Sequence, residues 1–203
     1  MAHVQPSKDF DLQKKLCLEK LYKPDKSRKG NVDAPIIPFI DYINKLDNYY
    51  TTSSCSGRIQ LLTESDKKPE VKWLYVSHEA VTEENILNVL SVDNVKNYPM
   101  DRIWLRQENL IFHIACRTMD DADKLLKIAR DIGLKRSGVI TDANIIIAEI
   151  CSTEKMDVPV AEEGKLIVSE EYIRTITKIA NQKFLKGREK LIKLEKEIRE
   201  NIL

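Results

Sequence analysis

The run of side chains most suited to holding a ligand lies between residues 51 and 58. It places six hydroxyl or thiol side chains before a glycine and an arginine, in the order TTSSCSGR. Hydroxyl and backbone N–H groups bind polar ligands, and glycine lets a ligand approach the backbone. A serine-rich turn opening a buried strand has the same composition, so both interpretations stay open. The candidate binding residues are Ser53, Ser54, Cys55, Ser56, Gly57 and Arg58.

A second candidate segment, residues 27–33, has the sequence SRKGNVD. Ser27, Arg28 and Lys29 lie just before a predicted helix N-terminus, where cations and backbone N–H groups can contact phosphate. A solvated basic linker is the alternative interpretation. Asp33 stands where it would N-cap the helix, a position at which aspartate is strongly favoured, and it could also serve as a base.

Two histidines are candidates for chemistry. His78 follows a strand predicted to be buried and precedes a helix, so we expect it at a sheet edge. His113 lies inside another predicted strand and alternates onto one face with Arg117. That face could line a pocket, or His113 could be a packing histidine. Cys55 as a nucleophile would need a nearby base, and no local residue supplies one.

Several classes of protein are disfavoured by what the sequence lacks. The four cysteines lie tens of residues apart with no CxxC pair, which disfavours a zinc ribbon or a disulfide framework, and we predict no metal site. The six glycines form neither GxGxxG nor a P-loop. No long apolar run is present, so we expect a soluble, cytoplasmic protein without a membrane partner. With a net charge of +1, any RNA binding must come from a local patch.

The elements that must position these residues follow from hydrophobic spacing. Helices are predicted over residues 8–22, 33–48, 82–90, 120–132 and 169–203, with a capping box at Thr82 and a left-handed glycine at Gly133. Strands 58–62 and 71–77 are predicted to form a hairpin through a turn at 65–69, and strands 102–106 and 110–117 a second pair. Further strands are predicted at 137–140 and 144–151.

These elements predict an α+β fold with a mixed, largely antiparallel sheet flanked by helices, and not a Rossmann fold. We expect residues 1–168 to form the catalytic domain and 169–203 to form a long C-terminal helix packed on it. Residues 73–90 and 110–130 share one predicted order: a strand, a polar residue and a helix. This weak similarity between the two segments makes an internal duplication possible.

Taken together, these segments resemble the wybutosine-synthesizing protein 3 family of tRNA-Phe methyltransferases. The resemblance covers nearly the whole chain and keeps the family order. Its carrying segments are SRKGNVD, TTSSCSGR, WLYVSH, FHIACR, RSG, VPV, GKLIVSEEYI and ANQK, between residues 27 and 183.

The resemblance implies methyl transfer from S-adenosylmethionine to N4 of a 4-demethylwyosine-type base at position 37 of tRNA-Phe, with other wyosine-pathway enzymes as possible partners. Base 37 lies in a single-stranded loop, where a protein can splay a base out and stack on it. Candidate stacking residues are Tyr49, Tyr50, Trp73 and Trp104, and candidate phosphate or carboxylate contacts are Arg28, Lys29, Arg117, Arg136 and the adjoining Ser137.

For the mechanism we hypothesise His78 or Asp33 as the catalytic base that removes the proton from the ring nitrogen. Ser53, Ser54 and Ser56 would hold the substrate nucleobase or the carboxylate of the cofactor. Arg58 would orient this segment or neutralise the substrate's carboxylate, and His113 would contact a ligand. The alternative function is a non-catalytic tRNA-binding subunit of a modification complex, which would bind tRNA without binding S-adenosylmethionine.

Overall fold

The computed structural model describes residues 10–21, 32–64, 71–142 and 145–202. The helices are α1 (Phe10–Leu21), α2 (Ile37–Lys45, preceded by the 3-10 turn Ala34–Ile36), α3 (Glu83–Val89), α4 (Val92–Val95), α5 (Met119–Asp131) and α6 (Glu170–Asn201). The strands are β1 (Tyr49–Cys55), β2 (Arg58–Glu64), β3 (Trp73–Ser77), β4 (Arg102–Glu108), β5 (Ile111–Cys116), β6 (Gly138–Asp142), β7 (Ile145–Cys151), β8 (Met156–Glu162) and β9 (Lys165–Leu166).

The chain divides into two compact units, each built on one sheet. The first unit comprises 1–56, 110–153 and 189–203, and the second comprises 57–109 and 154–188. Sheet A of the first unit has the order β1-β5-β7-β6, and sheet B of the second has the order β3-β2-β4-β8-β9. All strand pairs in the described parts of the chain are antiparallel, which confirms the α+β prediction. The expectation of a single sheet is wrong, because the described residues form two sheets.

The first unit packs one face of sheet A against helices. Phe112 and Ile114 of β5 are fully buried there with α2, α5 and the end of α6. The rings of Phe39 and Phe112 meet edge to face with centroids 4.9 Å apart. On the other face, a smaller cluster around Phe10, Tyr50 and Ala115 joins α1 to the sheet. The rest of that face is available to carry polar side chains.

In the second unit, too, one face of the sheet packs against helices. Ile59 and Leu61 of β2 and Leu105 of β4 form the core face of sheet B, and they pack against α3 and the first part of α6. Ile173 and Ile176 are among the α6 residues in this core. Because side chains alternate along a strand, the opposite face of sheet B carries the residues between them.

Two local signals in the sequence are confirmed. The Thr82 hydroxyl accepts a hydrogen bond from the backbone N–H of Asn85, and the backbone N–H of Thr82 donates to Asn85 Oδ1, so the predicted capping box is present. Gly133 follows α5 with φ of +93°, the left-handed conformation expected after that helix. No helix in the described ranges is both long and apolar enough to cross a membrane.

The predicted strand pairing is confirmed in one place and wrong in another. β2 and β3 pair as expected, although the turn predicted at 65–69 lies outside the described residues. β4 and β5 do not pair: β4 lies between β2 and β8 in sheet B, and β5 lies between β1 and β7 in sheet A. Strands β8 and β9 were not predicted from the sequence. Their two-residue turn, Glu163-Gly164, has positive φ at both positions, as tight hairpins require.

The internal duplication and the division at residue 168 stay predictions. The two segments that suggested the duplication, beginning with β3 and β5, differ in position: β3 is an edge strand of sheet B, whereas β5 has neighbours on both sides. α6 begins in the second unit and ends in the first, with the change between Arg188 and Glu189.

The side chain of Asn181 in α6 binds both backbone polar groups of Val81. Its Oδ1 accepts from the backbone N–H of Val81 at 2.9 Å, and its Nδ2 donates to the carbonyl of Val81 at 2.7 Å. Val81 is only 6% exposed, so Asn181→Ala leaves two buried backbone groups without a partner. We expect a loss of about 1–3 kcal/mol in the free energy of unfolding, measured by urea denaturation. Gln182→Ala, at the exposed neighbouring position, is the matched control and should change the unfolding midpoint little.

Candidate active site

The hydroxyl-rich run TTSSCSGR lies mostly in strand β1 and not in a serine-rich turn that opens a strand. The register of β1 against β5 shifts between Thr51 and Ser53, with Thr52 as the extra residue of a bulge. Thr51 lies opposite Ile114 on the core face, and Ser53 lies opposite His113 on the other face. The bulge therefore turns Ser53, and with it Cys55, out of the core.

Ser54 points the opposite way. It lies opposite Phe112 of the core, and its Oγ is buried without a hydrogen-bond partner among the described residues. Of the run, Ser53 and Cys55 thus share the outer face of sheet A, whereas Ser54 belongs to the packed side.

His113 and Glu149 form the polar centre of the outer face of sheet A. They lie directly opposite each other on β5 and β7, and His113 Nε2 is 2.8 Å from Glu149 Oε2. About a quarter to a third of each side chain is exposed, 27% for His113 and 32% for Glu149. A carboxylate that accepts from one ring nitrogen fixes the ring orientation and leaves the other nitrogen as a proton acceptor.

The neighbours of this pair are small. Along the same row of the sheet, Ser53 lies beside His113 and Gly138 lies beside Glu149. A Cβ atom added at Gly138 would meet no other atom within 4 Å, so the space beside Glu149 is open. The row formed by Ser53, His113, Glu149 and Gly138 therefore leaves the hydrogen-bonded pair of His113 and Glu149 accessible to a ligand.

The next row of the outer face contains Cys55, Ile111 and Cys151. Ser137 Oγ accepts from the backbone N–H of Cys151 at 3.2 Å, which places Ser137 beside this row. Burial and the charge of Glu149 raise the pKa of the Cys151 thiol, while the charge of Arg136 lowers it. Arg136 and Glu149 thus both act on the same corner of the face, and the thiol is held neutral.

Asp33 does not cap the helix that follows it, although it stands at the N-cap position. Its Oδ2 instead accepts two hydrogen bonds from Ser56, one from the backbone N–H at 2.7 Å and one from the hydroxyl at 2.9 Å. Ser56 is 3% exposed, so this contact fixes the end of β1. The N-cap interpretation is wrong, and the contact with Ser56 takes its place.

Arg117 lies away from the polar row. Its guanidinium group binds Asp11, donates to Asn48 Oδ1 at 3.1 Å and lies 4.5 Å from the ring of Phe10. The hydrogen bond from Arg117 lowers the pKa of Asp11, and the same contact raises the pKa of Arg117. Arg117 therefore holds α1 in place, and all its contacts here are within the protein.

Gly57, Arg58 and His78 belong to the second unit and do not share sheet A with His113. Gly57 has φ of +85°, which suits the turn between β1 and β2. Arg58 Nε contacts Glu108 Oε2 at 2.5 Å, and its guanidinium group lies 5.0 Å from the ring of Trp73. The carbonyl of His78 accepts from Arg188 at 2.7 Å.

Two of the four predicted stacking residues are buried. Tyr49 is 3% exposed and Tyr50 is 2% exposed, and burial raises the pKa of both. Tyr49 donates its hydroxyl proton to the carbonyl of Asp121, and Tyr50 packs edge-on against Phe10. Neither can stack on a base. Ser27, Arg28 and Lys29 lie outside the described residues.

A cavity of about 510 Å³ in the first unit does not extend the site. It is lined by Asn48, Tyr49 and Asp121, among others, and Tyr49 lies on the core side of sheet A. His113 lies on the opposite side. In the described ranges, no group of three or more His, Cys, Asp or Glu residues could hold a metal ion.

Glu149 is the residue that the sequence analysis missed. Its signal is a single acid within the apolar run IIIAEIC of β7, where a buried strand would otherwise have no charge. When a strand with such an acid lies next to a strand that carries a histidine, a hydrogen-bonded pair between the two side chains is expected. The sequence did not show which strands are neighbours.

Comparisons with known proteins show which family the chain matches. Residues 12–200 match the family described as Methyltransferase TYW3. A relative from Thermococcus sibiricus is 39% identical over 94% of this chain and 95% of its own; its name is tRNA(Phe) 7-((3-amino-3-carboxypropyl)-4-demethylwyosine(37)-N(4))-methyltransferase. The Bos taurus relative, a tRNA wybutosine-synthesizing protein 3 homolog, is 35% identical over 91% of this chain and 70% of its own.

The fold agrees with that match. The solved structure of the PH1069 protein from Pyrococcus horikoshii superposes with a TM-score of 0.83 at 35% identity, and covers 98% of this chain and 99% of its own. The resemblance stated from the sequence segments is confirmed. The chain belongs to the methyltransferase TYW3 family.

Proposed function

We propose that this chain methylates N4 of a 4-demethylwyosine base that carries a 3-amino-3-carboxypropyl group, at position 37 of tRNA-Phe. The observation that carries the proposal is the match of almost the whole chain to relatives named for this reaction. The acceptor base lies in the single-stranded anticodon loop, where a protein can reach a ring nitrogen without opening a duplex. A cytoplasmic location and contacts with other enzymes of the pathway are part of the same proposal.

The proposed methyl donor is S-adenosylmethionine, which supplies an electrophilic methyl group on a sulfonium. Both this donor and the proposed substrate carry an ammonium and a carboxylate on one short chain. The outer face of sheet A carries the carboxylate of Glu149, and the charge of Arg136 acts on the neighbouring Cys151 thiol, so groups of both signs influence this part of the face. Ser53 adds an exposed hydroxyl group on the same face, whereas Ser137 is buried and supports the backbone of Cys151. These residues fit a zwitterionic amino-acid group, and no glycine-rich turn is required to hold one.

His113 is the proposed proton acceptor. The acceptor nitrogen loses its proton as it gains the methyl group, so a positioned base assists the reaction. With Nε2–H donating to Glu149, the Nδ1 lone pair of His113 is free to take that proton. Glu149 acts as a positioning residue, since it selects the tautomer. His78 and Asp33 are the alternative catalytic bases proposed from the sequence. Asp33 is the less suitable candidate, because its Oδ2 already accepts two hydrogen bonds from Ser56.

Substitution of the two histidines separates these assignments. We expect His113→Ala to slow methyl transfer by roughly 10²- to 10⁴-fold, the range for loss of a general base, with donor binding by calorimetry retained. His78→Ala, the matched histidine control, should keep the parent rate. The measurement is transfer of labelled methyl groups to precursor tRNA-Phe. A parent rate in His113→Ala together with a large loss in His78→Ala would move the base to the second unit.

Glu149→Gln tests the positioning role separately. The amide keeps the shape of the side chain but allows the wrong tautomer of His113 and removes the charge that faces the ligand's ammonium group. We therefore expect a lower kcat, a higher KM and an altered pH–rate profile. Glu149→Asp should recover part of the rate. A rate loss with an unchanged pH profile would show that Glu149 only supports the fold.

Asp33→Asn tests whether the carboxylate is a base or a structural acceptor. We expect the free energy of unfolding to fall by about 1.5–3 kcal/mol, the range for a hydrogen bond to a charged group, and the pH–rate profile to keep its shape. Combining it with Ser56→Ala in a double-mutant cycle should show a coupling free energy of the same sign. If Asp33→Asn is as stable as the parent but loses one ionisation from the pH–rate profile, Asp33 is the base.

A further inference from the structure

The outer face of sheet B, opposite its core, carries aromatic and basic side chains in alternating rows. One row crosses the sheet through Trp73, Leu62, Trp104 and Pro159 on four neighbouring strands. The row beside it contains Val76, Gln60, Arg106 and Asp157. Arg58 and Glu108 lie beyond that row, and Arg102 and Glu162 lie on the other side of the tryptophans. An apolar aromatic strip is thus bordered by arginines on both sides.

The two tryptophans lie on either side of β2. Two strand spacings separate them, roughly 10 Å. Trp73 is 48% exposed, which is unusual for so large an apolar side chain. Each tryptophan has an arginine nearby: Arg58 lies 5.0 Å from the ring of Trp73, and Arg102 lies 6.0 Å from the ring of Trp104.

Two polar groups on this face are buried without a partner among the described residues. Gln60 is 1% exposed, and its Oε1 accepts no hydrogen bond. The indole N–H of Trp104 likewise has no acceptor. Gln60 lies between Arg58 and Leu62 on β2, and Leu62 faces Trp73, so the contact between Arg58 and Trp73 passes over Gln60. Both of these polar atoms, Gln60 Oε1 and Trp104 Nε1, are fully covered, so the rings and the arginines are the groups of this face that a ligand can reach.

The arginines of this face retain donors for phosphate. Arg58 binds Glu108 through Nε, and Arg106 binds Asp157 through Nε. The terminal amino groups of both guanidinium groups make no hydrogen bond to the described residues. A guanidinium group held at one side by a carboxylate and open at the other can bind a phosphate oxygen without leaving its place. An ion-pair ladder alone would explain the arginines, but not the exposed indole of Trp73.

We propose that the outer face of sheet B is a platform on which bases of single-stranded RNA stack, with Trp73 and Trp104 as the stacking rings. Arg58 and Arg106 contact the phosphates. The inference rests on the proposed function in that the RNA is the anticodon-loop strand of the tRNA substrate. Aromatic rings on an open sheet are well suited to this, because every base has a face that can stack.

Intrinsic fluorescence provides a direct test, because Trp73 and Trp104 are the only two tryptophans in the sequence. The probe is an RNA hairpin with the anticodon loop of tRNA-Phe, titrated into the full chain. We expect quenching by the hairpin and none by a fully paired RNA duplex of the same stem. The single-tryptophan variants Trp73→Phe and Trp104→Phe assign the quenching to each ring.

Substitutions then measure the contribution of each ring to binding. Trp73→Ala should raise the Kd for the hairpin by roughly 5- to 150-fold, the effect of losing one stacked base, and Trp73→Phe should raise it less. Tyr172→Ala, which removes a 45% exposed aromatic ring from α6, is the control and should bind as the parent does.

The outcomes for the platform and for the enzyme are distinguishable. An unchanged Kd in Trp73→Ala and Trp104→Ala, with no quenching in the parent, overturns the platform even if the parent methylates tRNA-Phe; the face would then suit a protein partner or a solvated ion ladder. Quenching and a raised Kd in a chain that transfers no methyl group support the platform and count against the proposed reaction.

Discussion

The candidate active site depends on the register of β5 against its two neighbours in sheet A. His113 lies opposite Ser53 on one side and Glu149 on the other only in this register. A slip of one residue would turn His113 into the core and bring Phe112 or Ile114 out to solvent. Because Phe112 and Ile114 are completely buried, such a slip would cost several kcal/mol of hydrophobic burial. The apolar residues of β5 thus fix the position of the polar ones between them.

The same constraint explains the bulge in β1. Tyr49 and Thr51 face the core, and a regular strand would keep Ser53 and Cys55 on that face as well. The extra residue at Thr52 reverses the alternation, and its hydroxyl donates to the carbonyl of His113 at 3.3 Å. Asn44 holds the preceding residue through the N–H of Thr51 at 2.8 Å, and Asp33 holds Ser56 at the other end. The strand is therefore fixed on both sides of the bulge.

How much of this the sequence predicts depends on how far apart the interacting residues are. The capping box at Thr82 and the left-handed Gly133 were predictable because each rests on contacts within a few residues. The pairing of β4 with β5 was predicted wrongly, since proximity along the chain favours a hairpin, yet the chain changes sheets after Glu108. The backbone N–H of Ser152 donates to the carbonyl of Leu110, a contact between residues far apart in sequence. The pair of His113 and Glu149 follows from such distant pairing, so the sequence indicated His113 as a candidate but not its partner.

The near-neutral charge of the chain is consistent with recognition of one loop and not of nucleic acid in general. Non-specific binding depends on many phosphate contacts, which a net charge of +1 does not supply. Each described arginine on the outer face of sheet B is paired with a carboxylate, which cancels its long-range attraction while holding its guanidinium group in place. On the proposed platform, affinity must then come from stacking, and stacking requires unpaired bases. A surface of this kind discriminates by the conformation of the RNA, because a duplex hides the base faces that the tryptophans would contact.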